Sequence, residues 1–522
     1  MKRLLFLTIG CAIAAVVRMP AATPGPVRLD TGLVSGTVGA SGDIRIFRGI
    51  PYAAPPVGEL RWQPPQPAAH WDGVRKADAF GPRCMQTALG GGGRRGGAPA
   101  QAAPPQPPTS EDCLSINVWT PATSASERRP VMVFTYGGGY YVGAGSEPRY
   151  DGEALAKKGV VVVTSNYRLG PFGWFAHPEL TKASAHHASG NYGLMDAIAA
   201  LEWVQRNVAA FGGDPRNVTI FGESAGAFSV SAMVGSPEAK GLFQHAIAES
   251  GAWMGLRMAK MTTRADAEEA GTKMLAAMGA KTIADARAMS ADDLLHKGQN
   301  GGLIVDGWYV PEDLSLTFAH ARQNGIDVLV GSNRDEGTLF QRQRPTASQF
   351  ATEIKQRWGT LADSVLALYP AANDEQAMAS SLAMQRDEIT WHARLWAADT
   401  VERGKRAFVY YFTHVPPSAP GQPSRGAAHT TELAYVFGNL LPAGLPWSTV
   451  DRRLADQMTS YWSNFAKQGD PNGTGLPTWP AYTDKGTSGR AMVLGDEVMP
   501  EPAVDTARLA LYDALYARQM TR

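Results

Sequence analysis

The sequence predicts an α/β protein built on a large, mostly parallel sheet with helices on both faces. Two observations point there. Short apolar runs rich in β-branched and aromatic residues recur at 131–135, 160–164, 218–221, 246–248, 328–330 and 407–412. Between the second and third of them, 194–209 places apolar residues at helical spacing, as a crossover between parallel strands requires. A third feature sets where chemistry would sit in such a sheet. The run at 218–221 enters Gly222-Glu223-Ser224-Ala225-Gly226, a G-x-S-x-G, and small and apolar residues then suit a helix to 233.

In chain order, the first segment is an export signal. Met1-Lys2-Arg3 is basic, Leu4 to Val17 is apolar, and the small residues Ala21 and Ala22 follow. The apolar run is short for a membrane span of about 20 residues. Gly10-Cys11 resembles a lipidation junction, but Thr8 and the apolar run beyond Cys11 argue against one. Residues 1–22 are therefore read as a signal peptide, 23–522 as one domain, and the protein as exported, periplasmic or secreted. Export makes Cys84 and Cys113, the pair left after the signal, a candidate disulfide. It would close a loop, about 85–112, that is rich in Gly, Arg, Ala, Gln and Pro and too polar to order itself. Closing about 30 residues contributes roughly 3–4 kcal/mol by the chain-entropy model.

Residues 111–119 alternate apolar and polar and read as a strand. The strand at 131–135 runs into Tyr136-Gly137-Gly138-Gly139-Tyr140, where glycines leave backbone N–H groups uncovered. A phosphate loop is excluded because no lysine follows at the required spacing. After 160–164 comes Ser165-Asn166-Tyr167-Arg168-Leu169-Gly170. At Ser224 the strand–turn–helix context presents a hydroxyl at a helix N-terminus, with the N–H of Ala225 beside it. Glycines at 222 and 226 are required because a Cβ there would strike the neighbouring strand and helix. Residues 261–295 read as an irregular helical cap. The segment 426–432, Gly-Ala-Ala-His-Thr-Thr-Glu, follows the strand at 407–412, and 504–520 is an amphipathic helix. His186 and His187 have no carboxylate or cysteine at ligand spacing beside them and read as loop residues, so no metal site is expected.

Composition fits an enzyme-sized globular chain. Of 522 residues, 44% are hydrophobic and 13 are tryptophan, enough for a substantial core. Forty-nine basic against 48 acidic residues leave a formal charge of +1, which gives no electrostatic reason for a nucleic acid or an anionic membrane as partner.

Phe221-Gly-Glu-Ser-Ala-Gly226, Glu111-Asp-Cys-Leu-Ser-Ile-Asn-Val-Trp119, Tyr136-Gly-Gly-Gly-Tyr140, Ser165-Asn-Tyr-Arg-Leu-Gly170 and Gly190-Asn-Tyr-Gly-Leu-Met-Asp196 together resemble the type-B carboxylesterases. These are α/β-hydrolases that include cholinesterases and bacterial p-nitrobenzyl esterases, and the resemblance runs from about residue 34 to the C-terminal helix. It implies a serine hydrolase with Ser224 as nucleophile, Glu336 as acid and His429 as base. Asp335 competes with Glu336 on chemistry alone. The resemblance further implies Gly138, Gly139 and Ala225 as oxyanion donors, Cys84–Cys113 as a disulfide, and Glu223 and Ser250 as supporting positions. The order Ser, Glu, His is that of the fold.

No cofactor is implied, and the partner is a small-molecule ester. Cholinesterases carry a tryptophan for a cation in the disulfide loop; this loop has none, while Tyr140 and Tyr141 flank the glycines, so neutral apolar esters are expected. Arg94 and Arg95 in the loop point the other way, toward an anionic substrate. Related non-catalytic adhesion proteins typically lack the nucleophile, whereas all three residues are present here. Amidases, carbamate hydrolases and lactone hydrolases would use the same residues, and pocket shape alone separates them.

Overall fold

A computed structural model describes residues 25–87, 106–298, 301–339, 344–501 and 505–520. The signal segment, most of the Gly/Pro-rich loop, and Arg94 and Arg95 lie outside these residues.

Eleven strands form the main sheet. They are β1 (Thr37–Val38), β2 (Arg45–Pro51), β3 (Ser115–Thr120), β4 (Arg129–Thr135), β5 (Val161–Ser165) and β6 (Gly213–Glu223), then β7 (His245–Glu249), β8 (Asp327–Asn333), β9 (Ala407–Phe412), β10 (Ala491–Leu494) and β11 (Val498–Glu501). Their order across the sheet is β1-β2-β3-β5-β4-β6-β7-β8-β9-β10-β11. From β5 through β10 in that order every neighbouring pair is parallel. The flanking pairs β1–β2, β2–β3, β3–β5 and β10–β11 are antiparallel. All residues of β5, β9 and the second half of β6 are buried, which is why these strands read as unbroken apolar runs.

The chain leaves β4 to one side for β5 and then returns by helix α1 (Tyr192–Asn207) to β6 on the other side. Such a reversal opens a crevice beyond the strand C-termini, where folds of this kind hold their ligands. The loops that leave β4 and β6 there are the Gly137–Gly139 turn and the Ser224 turn. Helix α2 (Ala225–Gly235) packs back on β6 and β7. Helix α3 (Asp374–Glu402) packs on β8 and β9, and α4 (Thr449–Gln468) on β4 and β6. Helix α5 (Thr506–Met520) closes against α3.

Two expectations change in detail. The strand expected from 111 begins at Ser115, because Cys113 is held in a disulfide with Cys84 and Glu111 is drawn to Arg61 at 2.6 Å. The expected irregular cap over 261–295 is three short helices, Arg264–Ala277, Ile283–Arg287 and Ala291–Lys297. They bury Met274, Leu275, Ile283 and Leu294 with Trp62 and Phe175 in a small core of their own.

Candidate active site

Ser224 closes β6 in a left-handed conformation, φ 56° and ψ −125°, which a residue with a side chain adopts only under constraint. The constraint is a pair of backbone bonds. Its N–H donates to the carbonyl of Glu249 on β7 at 2.9 Å, and its carbonyl accepts from Phe228 at 2.9 Å to start α2. The turn is tight enough that a Cβ on Gly226 would lie 2.0 Å from the carbonyl oxygen of Thr135. On Gly222 it would lie 2.7 Å from that oxygen and from the backbone of Gly226. The predicted need for glycine at both positions thus has one cause, the end of β4 wedged beneath the turn. Ser224 itself is only partly buried.

That same β4 end continues into the glycine loop. A Cβ on Gly137 would stand 2.7 Å from the carbonyl of Glu223 and 3.0 Å from Cβ of Ser224, so loop and turn are in contact. Gly138 and Gly139 both take positive φ, 98° and 64°. Among the described residues no acceptor takes the N–H of Gly138, Gly139 or Ala225. Three amides, two from the loop and one from the helix N-terminus, are therefore free beside the hydroxyl.

Glu336 follows β8, and its two oxygens are both engaged. Oε1 accepts from the backbone N–H of Asn333 at 2.8 Å, and Oε2 accepts from Nδ1 of His429 at 2.6 Å. Asp335 points elsewhere: its Oδ2 accepts the N–H of Ala427 at 2.7 Å. Of these two carboxylates it is Glu336 that contacts the imidazole. The His429 segment is pinned by Asn333, whose Nδ2 donates to the carbonyl of Ala428 at 2.9 Å and to the carboxylate of Glu432. Nε2 of His429 lies 3.1 Å from Oε1 of Glu223, the neighbour of Ser224, so the imidazole reaches the serine's own turn.

Comparison with known proteins accords with this geometry. The carboxylesterase family model matches residues 24–499. The chain belongs to the carboxylesterase family. It is 37% identical to the fumonisin B1 esterase of Sphingopyxis macrogoltabida, over 93% of this chain and 89% of that one. It is 35% identical to the para-nitrobenzyl esterase of Bacillus subtilis, over 90% and 94% of the two chains. A solved PNB esterase structure superposes with a TM-score of 0.81 at 33% identity, covering 94% of this chain and 99% of its own. A Geobacillus stearothermophilus carboxylesterase gives 0.79 at 32% identity, covering 93% and 99%. The fold is that of the α/β-hydrolases, and the reaction is carboxylic ester hydrolysis.

In this carboxylesterase the site concentrates buried acids. Glu223, Glu249, Glu336 and Glu432 are all buried, and Glu223 and Glu336 meet His429. Burial opposes charge on His429, but the carboxylates of Glu223 and Glu336 outweigh it and push the imidazole up to about 9. Burial pushes Glu223 up to about 7, with Glu336 adding to the rise and His429 opposing it. Burial, with the charge of Glu223 beside it, pushes Glu249 up to about 8, although Trp462 Nε1 donates to it at 2.7 Å. Glu432 is driven well above the ordinary range by burial and by its three acidic neighbours.

Glu223, one of the two supporting positions that the resemblance implies, lies 3.1 Å from the imidazole. Ser250 is buried with φ 58°, and its N–H donates to Gly331 at 2.9 Å. Among the described residues its hydroxyl has no hydrogen-bond partner. Asn333, Glu249 and Trp462 were not singled out from the sequence. The usable signal was register: Glu223 and Glu249 are direct partners on neighbouring parallel strands.

Proposed function

We propose that Ser224 is the nucleophile, His429 the general base and Glu336 the carboxylate that orients it, with Gly138, Gly139 and Ala225 as oxyanion donors. The observation that carries this reading is the buried Glu336–His429 pair at 2.6 Å, with Nε2 of the same imidazole 3.1 Å from Glu223, the residue before the strained Ser224 turn. His429 takes the hydroxyl proton as Ser224 Oγ bonds to the ester carbonyl carbon. The carbonyl oxygen becomes an oxyanion held by the three amides. Collapse breaks the bond to the alcohol, which leaves with the proton from His429. Water then repeats the sequence on the acyl-enzyme and releases the acid.

Neutral, apolar esters are the proposed substrates. Phe228, one turn into α2, packs on Trp253 at 4.9 Å between ring centres, and Tyr140 packs on Trp174 at 4.5 Å. These rings flank the serine and the glycine loop and supply apolar wall, where each buried methylene gains roughly 0.8 kcal/mol. The test is kcat/KM for p-nitrophenyl acetate, butyrate and octanoate, a choline ester, a dicarboxylic monoester and fumonisin B1, the last named for the similar esterase. Rising values from acetate to butyrate support the apolar site; preference for the charged esters over butyrate overturns it.

Export, read from residues 1–22, is proposed as well. A mature N-terminus near residue 23 in protein recovered outside the cytoplasm would support it, and an intact Met1 would sink it. Among the described residues no helix is long and apolar enough to cross a membrane.

A further inference from the structure

The glycine loop at the active site is held from outside by one side chain that the mechanism does not use. Gln86 lies two residues beyond Cys84 and is buried. Its carboxamide grips a single residue at both backbone atoms: Nε2 donates to the carbonyl of Gly143 at 2.8 Å, and Oε1 accepts the N–H of Gly143 at 2.9 Å. The other Nε2 hydrogen goes to the carbonyl of Cys84 at 3.0 Å, so donors and acceptor are all used and fix the side chain to the disulfide segment. From Gly143 the path to the free amides is one residue long. Val142, its neighbour, donates its N–H to the carbonyl of Gly138 at 3.2 Å, and Tyr141 does the same at 3.2 Å.

The far end of the loop is tied in the same way. Gly145 donates to Oδ1 of Asn166 at 2.9 Å, and Nδ2 of Asn166 donates to the carbonyls of Pro82 at 2.9 Å and Cys113 at 3.2 Å. Both ties run back to the residues flanking the Cys84–Cys113 bridge. Only a side chain with donor and acceptor adjacent can pair both backbone groups of Gly143. A carboxylate would set its lone pairs against the carbonyl, and an aliphatic chain would leave two buried groups unmet.

We propose that Gln86 is a positioning residue for ester hydrolysis, holding the Gly138 and Gly139 amides where the oxyanion forms. This rests on the reading of those amides as oxyanion donors. A hole of this kind acts only when its donors stand within hydrogen-bond range of the developing charge, so slack in the loop costs transition-state stabilisation and leaves substrate binding nearly unchanged.

The experiment compares Gln86→Leu and Gln86→Glu with wild type. Read out are kcat and KM on p-nitrophenyl butyrate, Ki for a trifluoromethyl ketone and its methyl ketone counterpart, and active sites counted by phosphonate titration. The ketone forms a hemiketal with Ser224 whose oxyanion needs the same donors. In Gln86→Leu, kcat per titrated site falls roughly 10- to 100-fold, KM moves less than about threefold, and Ki for the trifluoromethyl ketone rises by the factor lost in kcat. Gln86→Glu, which keeps the acceptor for the Gly143 N–H, lies between, and it decides the matter if Gln86→Leu does not fold. A kcat per site within about threefold of wild type in both variants, or a loss with Ki unchanged, overturns the proposal. Wild type that fails to prefer the trifluoromethyl ketone over the methyl ketone refutes the oxyanion reading itself, whatever the variants do.

Discussion

Replacing Glu223 by glutamine removes a carboxylate 3.1 Å from Nε2 of His429 while keeping the side chain's shape. At that separation and an effective dielectric of about 20, the attraction of carboxylate for imidazolium is roughly 5 kcal/mol, or about 4 pKa units. The full amount is not available, because the carboxylate assists only while ionised. Burial holds Glu223 at about 7 and the imidazole stands at about 9, so the pair exchanges its help over that interval. The sign follows directly. A nearby anion favours the protonated imidazole, only the neutral form accepts the serine proton, and removing the anion extends the active form to lower pH. The acid limb of kcat/KM is therefore expected to move down by about two units in Glu223→Gln. The plateau is expected to fall roughly tenfold, because the imidazolium formed in the transition state loses the same support. The assay is kcat/KM for p-nitrophenyl butyrate across pH 5 to 10, a range set by those two groups. An acid limb within about half a unit of wild type, or one that moves up, refutes the coupling of Glu223 to His429.

Ser224→Ala is expected to retain less than about a thousandth of the ester hydrolysis with its circular dichroism unchanged; more activity than that, in folded protein, removes Ser224 as nucleophile. Glu336→Gln is expected to lower kcat by roughly a thousandfold or more, and Asp335→Asn by less than about tenfold, since Glu336 and not Asp335 meets Nδ1 of the imidazole; equal losses would transfer the role. Gly226→Ala places a Cβ 2.0 Å from the Thr135 carbonyl. It is expected to lose about 1–3 kcal/mol or more of stability, read as a fall of several degrees in thermal midpoint, and an unchanged midpoint would show that β4 does not support the turn.

The strands of the parallel core were legible because β5, β9 and the second halves of β4 and β6 are buried and mainly apolar. The serine turn was legible for a related reason: two glycines and a serine at fixed spacing are what close contact with β4 demands. The long helix α3 was not, and its burial explains why. From Asp387 to Ala398 nearly every residue is enclosed, including Trp391, His392, Arg394 and Trp396, so no polar face remains to mark a 3.6-residue period. The short edge pair β10–β11 offered too few residues for an alternation to stand out. At the site, Ser224, Glu336 and His429 could be named from motifs, but that Glu336 and not Asp335 contacts the imidazole needed coordinates. So did Asn333, which ties Glu336 to the His429 segment, because a single asparagine at a strand end carries no local pattern.

The buried glutamates show what the sheet's register does for the chemistry. Glu223 and Glu249 are in-register partners at the C-terminal ends of β6 and β7, and Glu336 follows β8, the next strand over. Neighbouring parallel strands therefore deliver two acids from their C-terminal ends, and the turn after the next strand delivers a third to the same end of the sheet. Nothing in the packing asks for them. Burying a carboxylate costs several kcal/mol unless it is paired, and well-packed apolar residues at such positions are often neutral or stabilising. The compensation present is partial: Trp462 donates to Glu249, Asn333 to Glu336 and Glu432, and His429 lies against Glu336 and Glu223. One imidazolium and the nearby Arg149 guanidinium cannot neutralise four buried carboxylates, so protons are retained on the acids, in line with the upward shifts of Glu223, Glu249 and Glu432. What the arrangement gains is a site already negative before the reaction makes a positive charge on His429. The stabilising field is built during folding and needs no reorganisation when the serine proton moves.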